Sequence, residues 1–189
     1  MLIGYRDKLC PRGENYLKSN FYTIEGPWPG RLANLSRPRG DDWLKDELTS
    51  WVDAEIDVIV SLLTAQEISD LALNEEETIS QQLGIEFINY PIPDYDVPVS
   101  STSFTTLVDA LSDLLSRGKS IGIHCRQSVG RSSLLVACLL DHFDVSVDDG
   151  FERIAKARGV SVPDTTKQRQ WVIDFSNALK PNKSERHVS

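Results

Sequence analysis

The sequence predicts an α/β domain, a sheet of short apolar strands alternating with helices. Three observations carry this. Residues 56–63 (IDVIVSLL) are β-branched and nearly continuous in apolar character, the pattern of a strand buried on both faces. Phe104, Leu107, Val108, Leu111, Leu114 and Leu115 recur at helical spacing, giving an amphipathic helix that ends at Gly118. A short apolar run at 120–124 follows it and leads into a second helical stretch, LLVACLL, that is apolar all round.

The remaining elements fall into place around these. Residues 21–24 and 31–36 read as strands, bounded by the Gly26-Pro27-Trp28-Pro29-Gly30 and Arg37-Pro38-Arg39-Gly40 turns. Trp43, Leu44, Leu48, Trp51 and Val52 share one helical face, so 41–52 reads as a helix. The acidic segment 65–82 is helix-favouring, Gly84 closes it, and 85–90 reads as the next strand. PIPDYDVP is a proline-rich loop. Val147, Phe151, Ile154 and Ala155 mark another helix, and Trp171, Val172, Phe175 and Leu179 the last. The expected organisation is one domain over 1–189, with its core at about 20–180 and a frayed tail at 181–189.

Composition narrows the class. The chain has 189 residues, 40% hydrophobic and 25% charged, enough for one domain with a real core. A net charge of −8 argues against a general nucleic-acid binder. Cys10, Cys125 and Cys138 are odd in number and lack paired spacing, so neither a disulfide framework nor a zinc site is expected. The start, MLIGYRDKLC, lacks the apolar region of a signal peptide, and no apolar run reaches the ~20 residues of a membrane span. The expectation is a soluble cytoplasmic protein with no metal, no cofactor, no nucleic-acid partner and no membrane contact; the residues do not decide the oligomeric state.

The chemistry concentrates in IGIHCRQSVGRSS, residues 121–133. A strand, a tight loop and a buried helix set Cys125 beneath a ring of backbone N–H groups at a helix N-terminus, an anion site. That field favours the thiolate. Arg131 can clamp two oxygens of a tetrahedral anion. Such a loop suits attack on a phosphate ester through a cysteinyl-phosphate intermediate. Cys138, inside the apolar helix, reads as core, and Cys10 as incidental.

His124, Cys125, Arg131 and Ser132 together resemble the His-Cys-x5-Arg-Ser/Thr signature of the cysteine-dependent protein tyrosine and dual-specificity phosphatases. YPIPDYDVP is similar to the acid loop of the compact kinase-associated phosphatases and their bacterial relatives. The resemblance spans roughly residues 22–175. It implies a central mixed, mostly parallel β-sheet flanked by helices, and hydrolysis of phosphotyrosine, with phosphoserine and phosphothreonine as further substrates on a protein or peptide. By resemblance Asp94, 31 residues before Cys125, is the general acid, with Asp96 its rival. Ser132 would bond the sulfur and ease its departure. His124 would hold the loop, whose phosphate-binding residues are Arg126, Gln127, Ser128, Val129 and Gly130.

Two further positions match more loosely. VPDTTKQRQWV resembles a segment whose glutamine, here Gln168, orients the hydrolytic water; the plain alternative is an exposed helical Gln. SLLTAQEISDL resembles a segment that presents a carboxylate, here Glu67, to the arginine; the alternative is one more surface glutamate. Arg37 and Arg39 either border the pocket or are solvated turn residues. The competing functions are a phospho-partner binding module and a phosphatase of a non-protein monoester. One residue departs from the family pattern: Ser128 stands where glycine is usual. Either it is held at positive φ with its hydroxyl bonding locally, or the loop is slightly open.

Overall fold

The computed structural model describes residues 21–186, with side chains to Leu179. Cys10 lies outside the described residues. Five strands form one sheet: β1 (Phe21–Ile24), β2 (Arg31–Leu35), β3 (Val58–Ser61), β4 (Glu86–Asn89) and β5 (Ser120–His124). Their order is β1-β2-β5-β3-β4. β1 pairs antiparallel with β2, and every other pairing is parallel. The mixed, mostly parallel sheet is therefore as expected.

Among the described residues seven α-helices cover it: α1 (Leu44–Asp53), α2 (Ala65–Asp70), α3 (Glu76–Gln82), α4 (Ser101–Ser116), α5 (Arg131–His142), α6 (Val147–Arg158) and α7 (Thr166–Arg186). Side chains alternate along each strand and feed two cores. Val58, Val60, Ile121 and Ile123 meet α4 to α7 on one face. Ala33, Leu35 and Ile59 meet Leu44, Leu48 and Trp51 of α1 on the other. Every residue of α5 from Arg131 to Asp141 is buried, as its uniform apolarity requires. Cys138 is in that core, and burial pushes its thiol well up.

Three expectations need correction. Trp43 and Val52 are exposed rather than part of the buried face of α1, because a short 3-10 turn at Asp41–Trp43 precedes the helix and rotates Trp43 outward. The segment 65–82 is two helices, broken where Ala72 takes a left-handed φ of 54°. The last helix continues past Pro181 to Arg186 where a tail is expected, while 187–189 lie outside the described residues.

The parallel strands β2, β5, β3 and β4 all end on one edge of the sheet, the edge where ligands bind in such folds. Loops after each of them meet there. The sheet needs its side chains small at one point: a Cβ on Gly122 of β5 would run into the buried Leu35 Cδ1. Gly122→Val is expected to lower stability by about 1–3 kcal/mol, read as a reduced urea midpoint at unchanged slope.

Candidate active site

β5 delivers His124 and Cys125 to the sheet edge, and α5 begins six residues later at Arg131. Cys125 is 2% exposed. Its sulfur accepts from the Ser128 N–H at 3.2 Å and faces the Ser132 hydroxyl at 3.6 Å. Gly130 at the start of α5 supplies no side-chain cap, so the first N–H groups of the helix stay open toward the loop.

Ser128 has φ 55°, in the left-handed region. It is fully buried, and its hydroxyl donates to the Leu35 carbonyl at the end of β2. Its own carbonyl accepts from Asn34 Nδ2 at 3.1 Å. The loop therefore takes the glycine-like turn with a serine, and β2 braces it from both sides. Arg126 and Gln127 turn outward and are exposed, Val129 is half-buried, and Gly130 is buried. A Cβ at Gly130 would crowd Asp164 and lie 2.8–2.9 Å from the Gln168 amide.

Arg131 is 1% exposed. Its Nη1 and Nη2 donate to the two oxygens of Glu67 at 2.7 and 2.8 Å, and Nη1 also donates to the Ile92 carbonyl at 2.8 Å. Nη2 lies 2.9 Å from Asp94 Oδ1. Burial makes the guanidinium charge costly; Glu67's bonds, then the charges of Cys125, Glu67 and Asp94, more than offset this and raise its basicity. Glu67 sits in a capping box with Thr64 at the start of α2. Burial disfavours its ionised form, but Arg131 and the Thr64 N–H outweigh that and hold its carboxyl below the ordinary 4.5. Glu67 is thus no surface glutamate.

The acid loop splits its two aspartates. Asp94 faces Arg131. Asp96 is 2.5 Å from Lys167 Nζ, and that bond, with the Val97 N–H, lowers its carboxyl. Gln168 is fully buried rather than exposed. Its Nε2 donates to the Asp96 carbonyl at 3.2 Å and its Oε1 accepts from Thr165 N–H at 3.2 Å, so it joins the acid loop to α7. His124 is buried with Nε2 2.9 Å from Glu76 Oε1, out of line for a hydrogen bond, and packs near Trp51.

Sequence reasoning missed Asn34, Glu76 and Asp164. Asp164 lies beside Gly130 of the loop. Burial raises its carboxyl, the Asp94 charge adds to this, and Arg131 and the Gly130 N–H oppose it. Its one visible signal is its place four residues before Gln168, in the segment already singled out.

A buried Cys-x5-Arg loop between a central parallel strand and an apolar helix defines the cysteine-dependent protein tyrosine and dual-specificity phosphatase superfamily. Within it, the model of the family described as "Tc-R-P: Polymorphic toxin system, DSP-PTPase phosphatase" matches residues 33–143, and the chain belongs to that family. It is 30% identical over 108 residues to cyclin-dependent kinase inhibitor 3 of Rattus norvegicus, covering 56% of this chain and 50% of that one. The chain thus spans about half the length of that curated relative. Among solved structures it is similar in fold to kinase associated phosphatase bearing serine for its catalytic-site cysteine, at TM-score 0.74 and 23% identity, over 79% of this chain and 88% of that. Tk-PTP in its active form matches at TM-score 0.66 and 23% identity, over 78% and 92%.

Two measurements check the site's energetics. Ser128→Ala keeps the positive φ and loses the hydroxyl bond, whereas Ser128→Gly relieves the backbone. The glycine variant should therefore be the more stable of the two by about 1 kcal/mol in urea unfolding; equal midpoints contradict this. Glu67→Gln should cost about 3–5 kcal/mol at pH 7, because it leaves Arg131 buried and short of its partner. The native state binds the ionised form of Glu67, so its stabilisation is full above the ordinary 4.5 and is lost as pH falls through the lowered native value. The gap between wild type and Glu67→Gln should accordingly close on acidification below about pH 4.5.

Proposed function

We propose that the chain is a protein phosphatase that hydrolyses phosphotyrosine, and phosphoserine or phosphothreonine, through a phosphorylated Cys125. The observation that carries this is one geometry: a buried sulfur under a loop N–H, beside an arginine whose orientation is held by Glu67 and Ile92. A guanidinium has five N–H donors. Glu67 takes one from each Nη and Ile92 takes the second of Nη1. The edge formed by Nε–H and the other Nη2–H is left for two oxygens of a phosphoryl group, and Asp94 stands at that edge.

In the first step the Cys125 sulfur bonds to phosphorus as the ester P–O bond breaks, and Asp94 gives its proton to the leaving oxygen. In the second, water held by Gln168 attacks phosphorus and gives a proton to Asp94. The P–S bond then breaks, with the Ser132 hydroxyl donating to the departing sulfur. Loop N–H groups of residues 126–130 and Arg131 hold the equatorial oxygens through both steps. His124 anchors the loop from beneath. Asp94 takes the acid role over Asp96 because Lys167 already engages Asp96. On this proposal residues 1–189 form one phosphatase domain, its partner is a phosphorylated protein or peptide, and its setting is the reducing cytoplasm, which keeps Cys125 a free thiol.

Turnover of a phosphotyrosine peptide and of para-nitrophenyl phosphate tests this. Cys125→Ser should lose more than about a thousandfold on both. Asp94→Asn should lose about a hundredfold or more on a phosphoserine peptide, whose alkoxide needs a proton, and far less on para-nitrophenyl phosphate. Asp96→Asn should stay within a few-fold of wild type. Equal losses for Asp94→Asn and Asp96→Asn on the phosphoserine peptide would overturn the assignment of the acid.

A further inference from the structure

Two buried titratable groups are left over from the chemistry above: Glu76, which no step uses, and His124, which only anchors the loop. Glu76, the first residue of α3, is 1% exposed, and His124 is fully buried. Glu76 Oε1 lies 2.9 Å from His124 Nε2. Neither carboxylate oxygen and neither ring nitrogen takes part in a hydrogen bond among the described residues. A lone carboxylate, or a lone imidazolium, is strongly disfavoured in such a place. The two groups therefore share one titratable proton, as carboxylate and imidazolium or as carboxylic acid and neutral imidazole.

Their surroundings favour the charged arrangement. The Trp51 ring of α1 stands 6.0 Å from the imidazole, at the outer reach of a cation–π contact. Ser61 of β3, paired with His124 across the sheet, and Ser80, one turn along α3 from Glu76, are buried hydroxyls and carry no charge. The other buried carboxylates on the helices of this face are engaged elsewhere, Glu47 of α1 by Arg39 and Glu67 of α2 by Arg131. Glu75 and Glu77, on either side of Glu76, are exposed. The remaining titratable neighbour is the next residue in the chain, Cys125, and a thiolate there favours a cation at His124.

Position makes that preference mutual. His124 and Cys125 are consecutive, so their Cα atoms are ~3.8 Å apart. Their side chains leave on opposite faces, the imidazole toward Trp51 and the sulfur into the core under α4 to α7. Nε2 is the ring nitrogen remote from the backbone, so Glu76 meets the far end of the imidazole. An imidazolium thus stands nearer the sulfur than the carboxylate that balances it. With water excluded, its field favours the thiolate more than the Glu76 field opposes it.

We propose that Glu76 is a positioning residue for the reaction: it holds His124 as the imidazolium, and His124 in turn holds the Cys125 nucleophile as the thiolate. This rests on the phosphatase reading above, and adds to it a residue outside the catalytic loop.

The test reads Cys125 without turnover. Alkylation of the full chain by iodoacetamide is followed against pH, with Cys125→Ser as the blank for the other cysteines. In Glu76→Gln the alkylation midpoint should move up by about one pH unit, a tenfold loss of rate below both midpoints. Glu76→Asp should lie between that variant and wild type. On para-nitrophenyl phosphate, kcat/KM of Glu76→Gln should fall about tenfold at the acidic end and converge on wild type as pH rises. His124→Gln should show the same upward shift. Adding Glu76→Gln to it should move the midpoint no further, because Glu76 without its imidazolium is left protonated. A carboxylate acting by its own field would let the midpoint fall when removed, and a residue that only packs would leave it in place; either result overturns the proposal. Should Glu76→Gln fail to fold, nitrogen NMR of the wild type decides. The chain has three histidines, and the His124 signals are those lost in His124→Gln. Both ring nitrogens of His124 should carry protons at pH 7, and a neutral ring there overturns the proposal. A wild type that alkylates as expected yet hydrolyses no phosphate ester counts against the phosphatase reading, while the hold of Glu76 on Cys125 stands.

Discussion

A guanidinium buried to 1% exposure is the constraint around which the rest of this site is arranged. An unpaired charge there would cost several kcal/mol, so Arg131 must be surrounded by acceptors. The fold meets that demand from separate segments: Glu67 from the start of α2, the Ile92 carbonyl from the loop after β4, and Asp94 two residues further on. Each loop end is thereby tied to the first residue of α5. The pairing that makes the charge tolerable also aims its free edge, so stability and orientation come from the same bonds.

Burial on both sides of the sheet makes this possible. β5 is central, and its carboxyl end is flanked by β2 and β3. β2 does more than pair with it. Asn34 and the Leu35 carbonyl grip Ser128, so the catalytic loop is anchored to the neighbouring strand as well as to its own. A serine at φ 55° is tolerable because its hydroxyl finds an acceptor inside the core, where a glycine would have none to offer.

Much of this was legible in the residues. Strand β5 at 120–124 and the buried α5 follow from local apolarity, and Cys125 with Arg131 from spacing. Asp94 and Glu67 could be picked out only by resemblance, since nothing local distinguishes Asp94 from Asp96 or Glu67 from its acidic neighbours. Their difference is tertiary: Lys167, 71 residues away, engages Asp96, and Arg131, 64 residues away, engages Glu67. The break in 65–82 was hidden because Ala72, a strong helix former, adopts a left-handed turn against its propensity. Trp43 leaves the apolar face on which its spacing places it because its partner, Arg39, is a cation rather than an apolar surface. Asp164 shows no more than its place before Gln168, and Glu76 no pattern at all; the packing brings the first to Gly130 and the second to His124.

On the proposed chemistry, the loop and the open edge of Arg131 form a single cradle for a phosphoryl group above Cys125. A crystal structure with orthovanadate tests it most directly. The predicted result is a vanadium–sulfur bond at Cys125, equatorial oxygens on the 126–130 amides and on Nε and Nη2 of Arg131, both Glu67 bonds kept, and Asp94 moved from Nη2 toward the apical oxygen. Vanadate bound away from Cys125, or Arg131 released from Glu67 to reach it, would contradict the account.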